Sequence, residues 1–283
     1  AEGQWIDGDF VRFRYGQPEK IGGYTAIGQE TISGPTRAQH TWTDLEGNRY
    51  AALGTSKALY IYYEDKFYDV TPLATALTGA TFTSTNGSNT VTVNKTSHAL
   101  DVGEYVTFTS VTLPGGGATG FTVANFQDFT YEVLTAPNAN TFTIQMKTNE
   151  SGTGMTAAGS ASINPYEEIG PTIQTYGYGW GTGTWSRGTW GSGTTSSSVI
   201  LDPGTWSLDN FGQQLIATVK DGKTFVWDPG VSNPLEQRAV IMSGAPTASR
   251  LTITSDRDRH VVHFGTETTI GNSTTQDPMF IKF

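Results

Sequence analysis

The four histidines, at positions 40, 98, 260 and 263, are the first residues to test for metal or acid–base chemistry. His260 and His263 sit three apart in RHVVH, and on a strand that spacing sends them to opposite faces, so they cannot share a metal ion. Asp256 and Asp258 in SDRDRH fall on one face of an extended segment, an arrangement that could hold calcium. Arg257 and Arg259 stand among them, however, and turn capping is the expected role of these carboxylates. Glu167 and Glu168 precede a Pro/Gly-rich passage with no further acid, base or nucleophile in view. The serines lie in Ser/Thr/Gly stretches without a strand–Ser–helix elbow. GGGATG at 115–120 neither leads from a strand into a helix nor ends in Lys-Ser/Thr, which argues against a phosphate-cradling loop. No catalytic set, metal site or cofactor site is expected, and the chain does not read as an enzyme.

Two groups of residues are suited instead to recognition. Trp180, Trp185 and Trp190 recur every five residues between glycines in YGYGWGTGTWSRGTWGSG, a spacing that fits neither a helix face nor a regular strand. We read residues 176–200 as a long loop pinned by its aromatic rings, with a stacking platform for carbohydrate or a partner chain as the alternative. In the opening DFVRFRYGQPEK, apolar side chains alternate with Arg12 and Arg14. That pattern is a strand with arginines on one face, followed by a turn at Tyr15-Gly16-Gln17-Pro18. The arginines either form a solvated face with a local ion pair worth under about 1 kcal/mol or meet an acidic partner in a neighbouring subunit.

The elements that carry these residues are strands. Thr, Gly, Tyr, Phe and Trp are abundant and no long stretch keeps a 3.6-residue apolar period, so almost no helix is expected. A hairpin phrase occurs three times: TWTDLEGNRYAALGTSKALYIYYE from Thr41, TWSLDNFGQQLIATVKDGKTFVWDP from Thr205, and RLTITSDRDRHVVHFGTETTIG with DPMFIKF from Arg250. Such a unit cannot bury its apolar face alone, whereas stacked or radially arranged copies can. The reading is an all-β chain of propeller-like repeats, incomplete in number, with an inserted small β-barrel or β-sandwich. The division is 1–78 as the first propeller-like part, 79–165 as the insertion, and 166–283 as the continuation. Repeat spacing, with the insertion removed, suits blades of roughly 40–50 residues and leaves one intervening unit between the first and second copies. The chain opens on Ala1 and stops at Phe283 inside the strand-like MFIKF, which reads as a processed or partly represented polypeptide.

A formal charge of −9 argues against a sequence-reading nucleic-acid binder, though not against an acidic wall past which DNA slides. The absence of cysteine removes disulfides and thiolate metal sites. No apolar run is long enough to span a bilayer as a helix, and no membrane insertion is expected.

DGDFVRFRYGQPEKIGGY resembles the N-terminal signature of tail proteins from short-tailed bacteriophages, in which an arginine-bearing strand, a tight turn and a PEKIGGW-like phrase precede the first blade. The segments SLDNFGQQLIAT with TFVWDP, and RHVVHFGT with DPMFIKF, resemble that family's later blades. The resemblance implies a tail nozzle, or tail-tube hub: a β-propeller assembling as a ring, by resemblance a hexamer, beneath portal and adaptor proteins in the virion. It further implies that the ring lines the lower DNA channel and supports tail fibres. The rival reading is a carbohydrate-binding or depolymerising tail protein using Trp180, Trp185 and Trp190 as a sugar platform. Glycoside cleavage needs two carboxylates beside the aromatic cleft, and the segment from Tyr176 to Leu201 has none.

Overall fold

The computed structural model describes residues 9–23, 31–171, 202–255 and 257–283. The chain divides into two compact units, Ala1–Thr31 and Ile32–Phe283. In the first unit, β1 (Val11–Arg14) pairs antiparallel with β2 (Gln17–Lys20). Tyr15 and Gly16 turn between them with φ of 51° and 76°. Positive φ at both central residues is the hairpin turn whose twist matches its strands. The turn is thus shorter than expected, because Gln17 and Pro18 already pair with Arg14 and Phe13.

The second unit begins with a four-stranded antiparallel meander: β3 (Thr36–Thr43), β4 (Arg49–Thr55), β5 (Leu59–Tyr63) and β6 (Lys66–Asp69). Alternation sends Trp42, Tyr50, Ala52, Leu59 and Ile61 to one buried face. Ala51, Leu53, Tyr60 and Tyr62 go to the other, which is half-buried.

The chain then enters a seven-stranded sheet that curls over its own core. Its strands are β7 (Leu77–Ser84), β8 (Thr90–Asn94), β9 (Tyr105–Thr112), β10 (Tyr131–Glu132), β11 (Thr135–Asn138), β12 (Thr141–Gln145) and β13 (Ala158–Pro165). They lie in the order β10-β9-β13-β7-β8-β12-β11. Phe82, Phe108, Phe126, Phe142, Ile144 and Ile163 fill the concave side. Phe126 comes from a five-residue helix, Val123–Gln127, started by a capping box between Thr122 and Asn125. Outgoing and returning chains meet where Leu73 bridges to Tyr166, and Ala74 N–H donates to Pro165 O at 2.8 Å.

A second meander follows: β14 (Trp206–Phe211), β15 (Gln214–Val219), β16 (Thr224–Trp227) and β17 (Val240–Ile241). The third sheet has three strands, β18 (Leu251–Ser255), β19 (His260–Phe264) and β20 (Ile281–Lys282). These sheets correspond to the three repeat copies. No further unit separates the first two: Trp206, Leu215, Ala217, Phe225 and Trp227 share one core with Trp42, Tyr50, Leu59 and Ile61. The expected intervening unit falls on residues 176–200, outside the described residues.

The first junction is locked reciprocally by the tryptophan that opens each phrase. Trp42 Nε1 donates to Gln213 O at 2.8 Å, and Trp206 Nε1 donates to Thr55 O at 2.9 Å. Each ring lies buried against the partner sheet while its N–H finds a carbonyl there, satisfying both ends of an amphipathic side chain. Gly54 makes the close approach possible, since a Cβ at that position would stand 2.5 to 2.8 Å from the Trp206 side chain.

Candidate functional site

The described charged clusters are occupied by structural work. The carboxylate of Glu150 accepts from Ser84 Oγ at 2.7 Å, Thr119 Oγ1 at 2.9 Å, Gly152 N at 2.9 Å and Gly120 N. Burial opposes its charge, but these donors outweigh burial and hold its pKa below the ordinary glutamate value. The glycine-rich 115–120 loop is consequently an anion cradle filled by the chain's own carboxylate. Glu267 ties Thr247 and Gly271 together in the same manner. Arg238 joins Asp69, Thr71 O and the Tyr166 hydroxyl, with its guanidinium 4.7 Å from the Tyr166 ring centre. This cluster fastens the seven-stranded sheet's return strand to the first sheet.

A groove of about 540 Å³ beside that cluster is lined by Lys57, Asp101, Glu104, Tyr105, Glu167 and Glu168 among others. Burial, with Asp101 and Glu168 nearby, pushes the Glu104 carboxyl up, the direction a general acid needs. Yet Glu104 Oε2 caps the Asp101 N–H at 3.0 Å, Lys57 Nζ is held by Glu132 at 2.9 Å, and Glu167 by Lys223 at 2.7 Å. Among the described residues, no group of three or more His, Asp or Glu side chains could hold a metal ion.

The histidines are dispersed. His40 Nε2 meets Asn210 Oδ1 at 2.8 Å across the first junction, and His98 Nδ1 accepts from Leu100 N at 2.9 Å. His260 is exposed while His263 is buried, on opposite faces of β19. Asp256, Trp180, Trp185 and Trp190 lie outside the described residues. Asp258, with its N–H donating to Ser255 Oγ at 3.3 Å, belongs to the β18–β19 turn.

What remains for recognition is surface. Every residue of β1 and β2 is exposed. Val11, Phe13, Pro18 and Lys20 share one face by register, and Arg12, Arg14, Gln17 and Glu19 the other. Arg12 Nε pairs with Glu19 at 3.1 Å, and the Arg14 guanidinium lies 5.5 Å from the Tyr15 ring centre. Both side chains of the ion pair are about half exposed, so it contributes under about 1 kcal/mol. Phe13 is 55 % and Tyr15 93 % exposed.

A second surface escaped the sequence reading. On the third sheet Thr252, Thr254 and His263 turn inward to the second sheet, while Leu251, Ile253 and Ile281 turn outward and are 47 %, 45 % and 54 % exposed. Thr218 Oγ1 donates to Thr252 Oγ1 at 2.8 Å, Ser207 Oγ donates to Thr252 O at 2.7 Å, and His263 Nδ1 lies 3.2 Å from Thr252 Oγ1. The signal was present as strict alternation in LTITS. Which side of that alternation faced the core was not.

No protein-family model and no curated protein sequence matches the chain. Among solved structures, the phage phi92 endosialidase is similar at 14 % identity and a TM-score of 0.25, over 90 % of this chain and 37 % of that one. A likeness this distant carries no argument about function.

Proposed function

We propose that this protein is a structural subunit of a short-tailed bacteriophage tail, a nozzle or tail-tube hub acting through assembly and not through catalysis. One observation carries the reading: the hairpin Val11–Lys20, whose residues bear the tail-protein resemblance, stands exposed on both faces with aromatic and arginine side chains. In this role the arm docks on an adjoining subunit or adaptor, the stacked sheets give a stiff wall, and net negative charge keeps passing DNA from adhering. The seven-stranded sheet is the accessory module, and tail fibres are further partners.

Sedimentation with the portal–adaptor complex of a short-tailed phage tests this. The full chain is expected to comigrate with the complex, and the Phe13→Ser/Tyr15→Ser variant to remain at the top of the gradient with an unchanged circular dichroism spectrum. Failure of the unaltered chain to comigrate, together with its retention on a host-glycan column, replaces this reading with the carbohydrate-binding one.

A further inference from the structure

The sequence holds a single Asn-Gly pair, Asn86-Gly87, and the fold sets it in the turn between β7 and β8. Ser88 N–H donates back to Thr85 O at 3.0 Å, and Gly87 takes a φ of 80°, which the third position of such a turn demands of a glycine. Asn86 is exposed, and its side-chain amide makes no hydrogen bond among the described residues. The same pair is suited to attack on its own carboxamide. A deprotonated Gly87 nitrogen bonds to Asn86 Cγ, the side-chain nitrogen leaves as ammonia, and water opens the cyclic imide to aspartate or isoaspartate. Without a Cβ, Gly87 does nothing to shield that nitrogen.

The fold shields it instead. Gly87 N–H donates to Glu150 O at 2.8 Å, and Glu150 N–H donates to Ser88 O at 2.8 Å. Glu150 is fixed in turn by its carboxylate, which gathers Ser84 Oγ, Thr119 Oγ1, Gly120 N and Gly152 N. Thr153 N and Gly154 N donate to Gly117 O at 3.1 Å and Ala118 O at 3.0 Å, so the β7–β8 turn, the 115–120 loop and the 150–154 segment form one knot. We infer that Asn86 is a deamidation site gated by Glu150, closed in the knotted chain and reactive when the knot opens. The attacking nitrogen must first leave the Glu150 carbonyl to lose its proton, so the rate follows the population of the opened form. The product then holds the knot open. Isoaspartate lengthens the backbone of the turn, and either product sets a carboxylate on the turn that pairs with the Glu150 segment. Loss of ammonia makes the change one-way, and the site records each opening of this end of the seven-stranded sheet. It depends on that sheet and not on the tail assignment.

The full chain held at pH 8, in buffer and separately in unfolding urea, tests the gate, with conversion at Asn86 followed by peptide mass mapping and ammonia release. The unfolded chain is expected to convert at Asn86 before any other asparagine, and the native chain at least about tenfold more slowly. Glu150→Gln is expected to speed the native reaction by about tenfold or more, since it turns an acceptor of four donors into an amide that must present two donors of its own. Thr119→Val removes one of those donors, leaves the carboxylate in place, and is expected to act in the same direction by less, which keeps the test valid if the glutamine variant does not fold. Three results would overturn the inference: equal rates in native and unfolded chains, folded Glu150→Gln or Thr119→Val converting no faster than the unaltered chain, and first conversion at another asparagine while Asn86 stays intact.

Discussion

The two sheet junctions of the second unit are built from opposite materials. Between the first and second sheets lie Trp42, Tyr50, Trp206 and Trp227, with Trp42 and Trp227 edge to face at 6.1 Å between ring centres. Between the second and third lie Ser207, Thr218, Thr224, Thr252 and His263, linked through hydroxyl groups. The first junction draws mainly on apolar area, which is non-directional, with the two indole N–H groups bonded to carbonyls at its edges. The second depends on its buried polar atoms finding partners, which among the described residues all but Thr254 Oγ1 do, and a single unmet partner costs about 1–3 kcal/mol. The third sheet is therefore expected to be the more readily loosened, while its outward face stays apolar.

The largest break in this comparison is Trp206→Ala, which removes a buried ring and its hydrogen bond to Thr55. A loss of about 3–5 kcal/mol is expected in urea denaturation, and a loss under about 1 kcal/mol would mean that the ring does not hold the junction. Gly54→Val should follow at about 1–3 kcal/mol, because its side chain must enter space held by Trp206. The double variant should cost less than the sum of the two, since removing the indole frees that space. Thr218→Val is isosteric and strips one hydroxyl from the second junction. The expected cost is about 1–2 kcal/mol, with amide exchange accelerated in β18 and β19 and unchanged in β4.

The smallest expected effect is the pH dependence that His263 lends the second junction. Burial lowers the His263 pKa below its ordinary 6.5, so the unfolded chain takes up the proton first as pH falls. The His263 contribution to stability is complete above the ordinary imidazole range and is lost as pH falls through 6.5 toward the folded value. Melting temperatures from pH 8 to pH 5 should fall less in His263→Gln than in the unaltered chain, and identical slopes would assign the acid sensitivity elsewhere.

Much of this architecture was legible in the residues. The turn signal in Tyr15-Gly16-Gln17-Pro18, though longer than the turn itself, and alternating runs such as RYAALGT and QLIATV announce hairpins, because backbone sterics and a period of two act over a few residues whatever the surroundings. The tryptophan opening the first two phrases marked a packing position, and its reciprocal bonding is a consequence of repetition. Tertiary structure alone decided that the first and second sheets touch directly, since contacts distant in sequence leave no local trace. It also decided that LTITS turns its threonines inward and its leucine and isoleucine outward. Alternation defines two faces without naming the inner one, and here the choice was made by the hydroxyl-lined surface of the second sheet, where Thr218 bonds Thr252 and Thr224 faces His263.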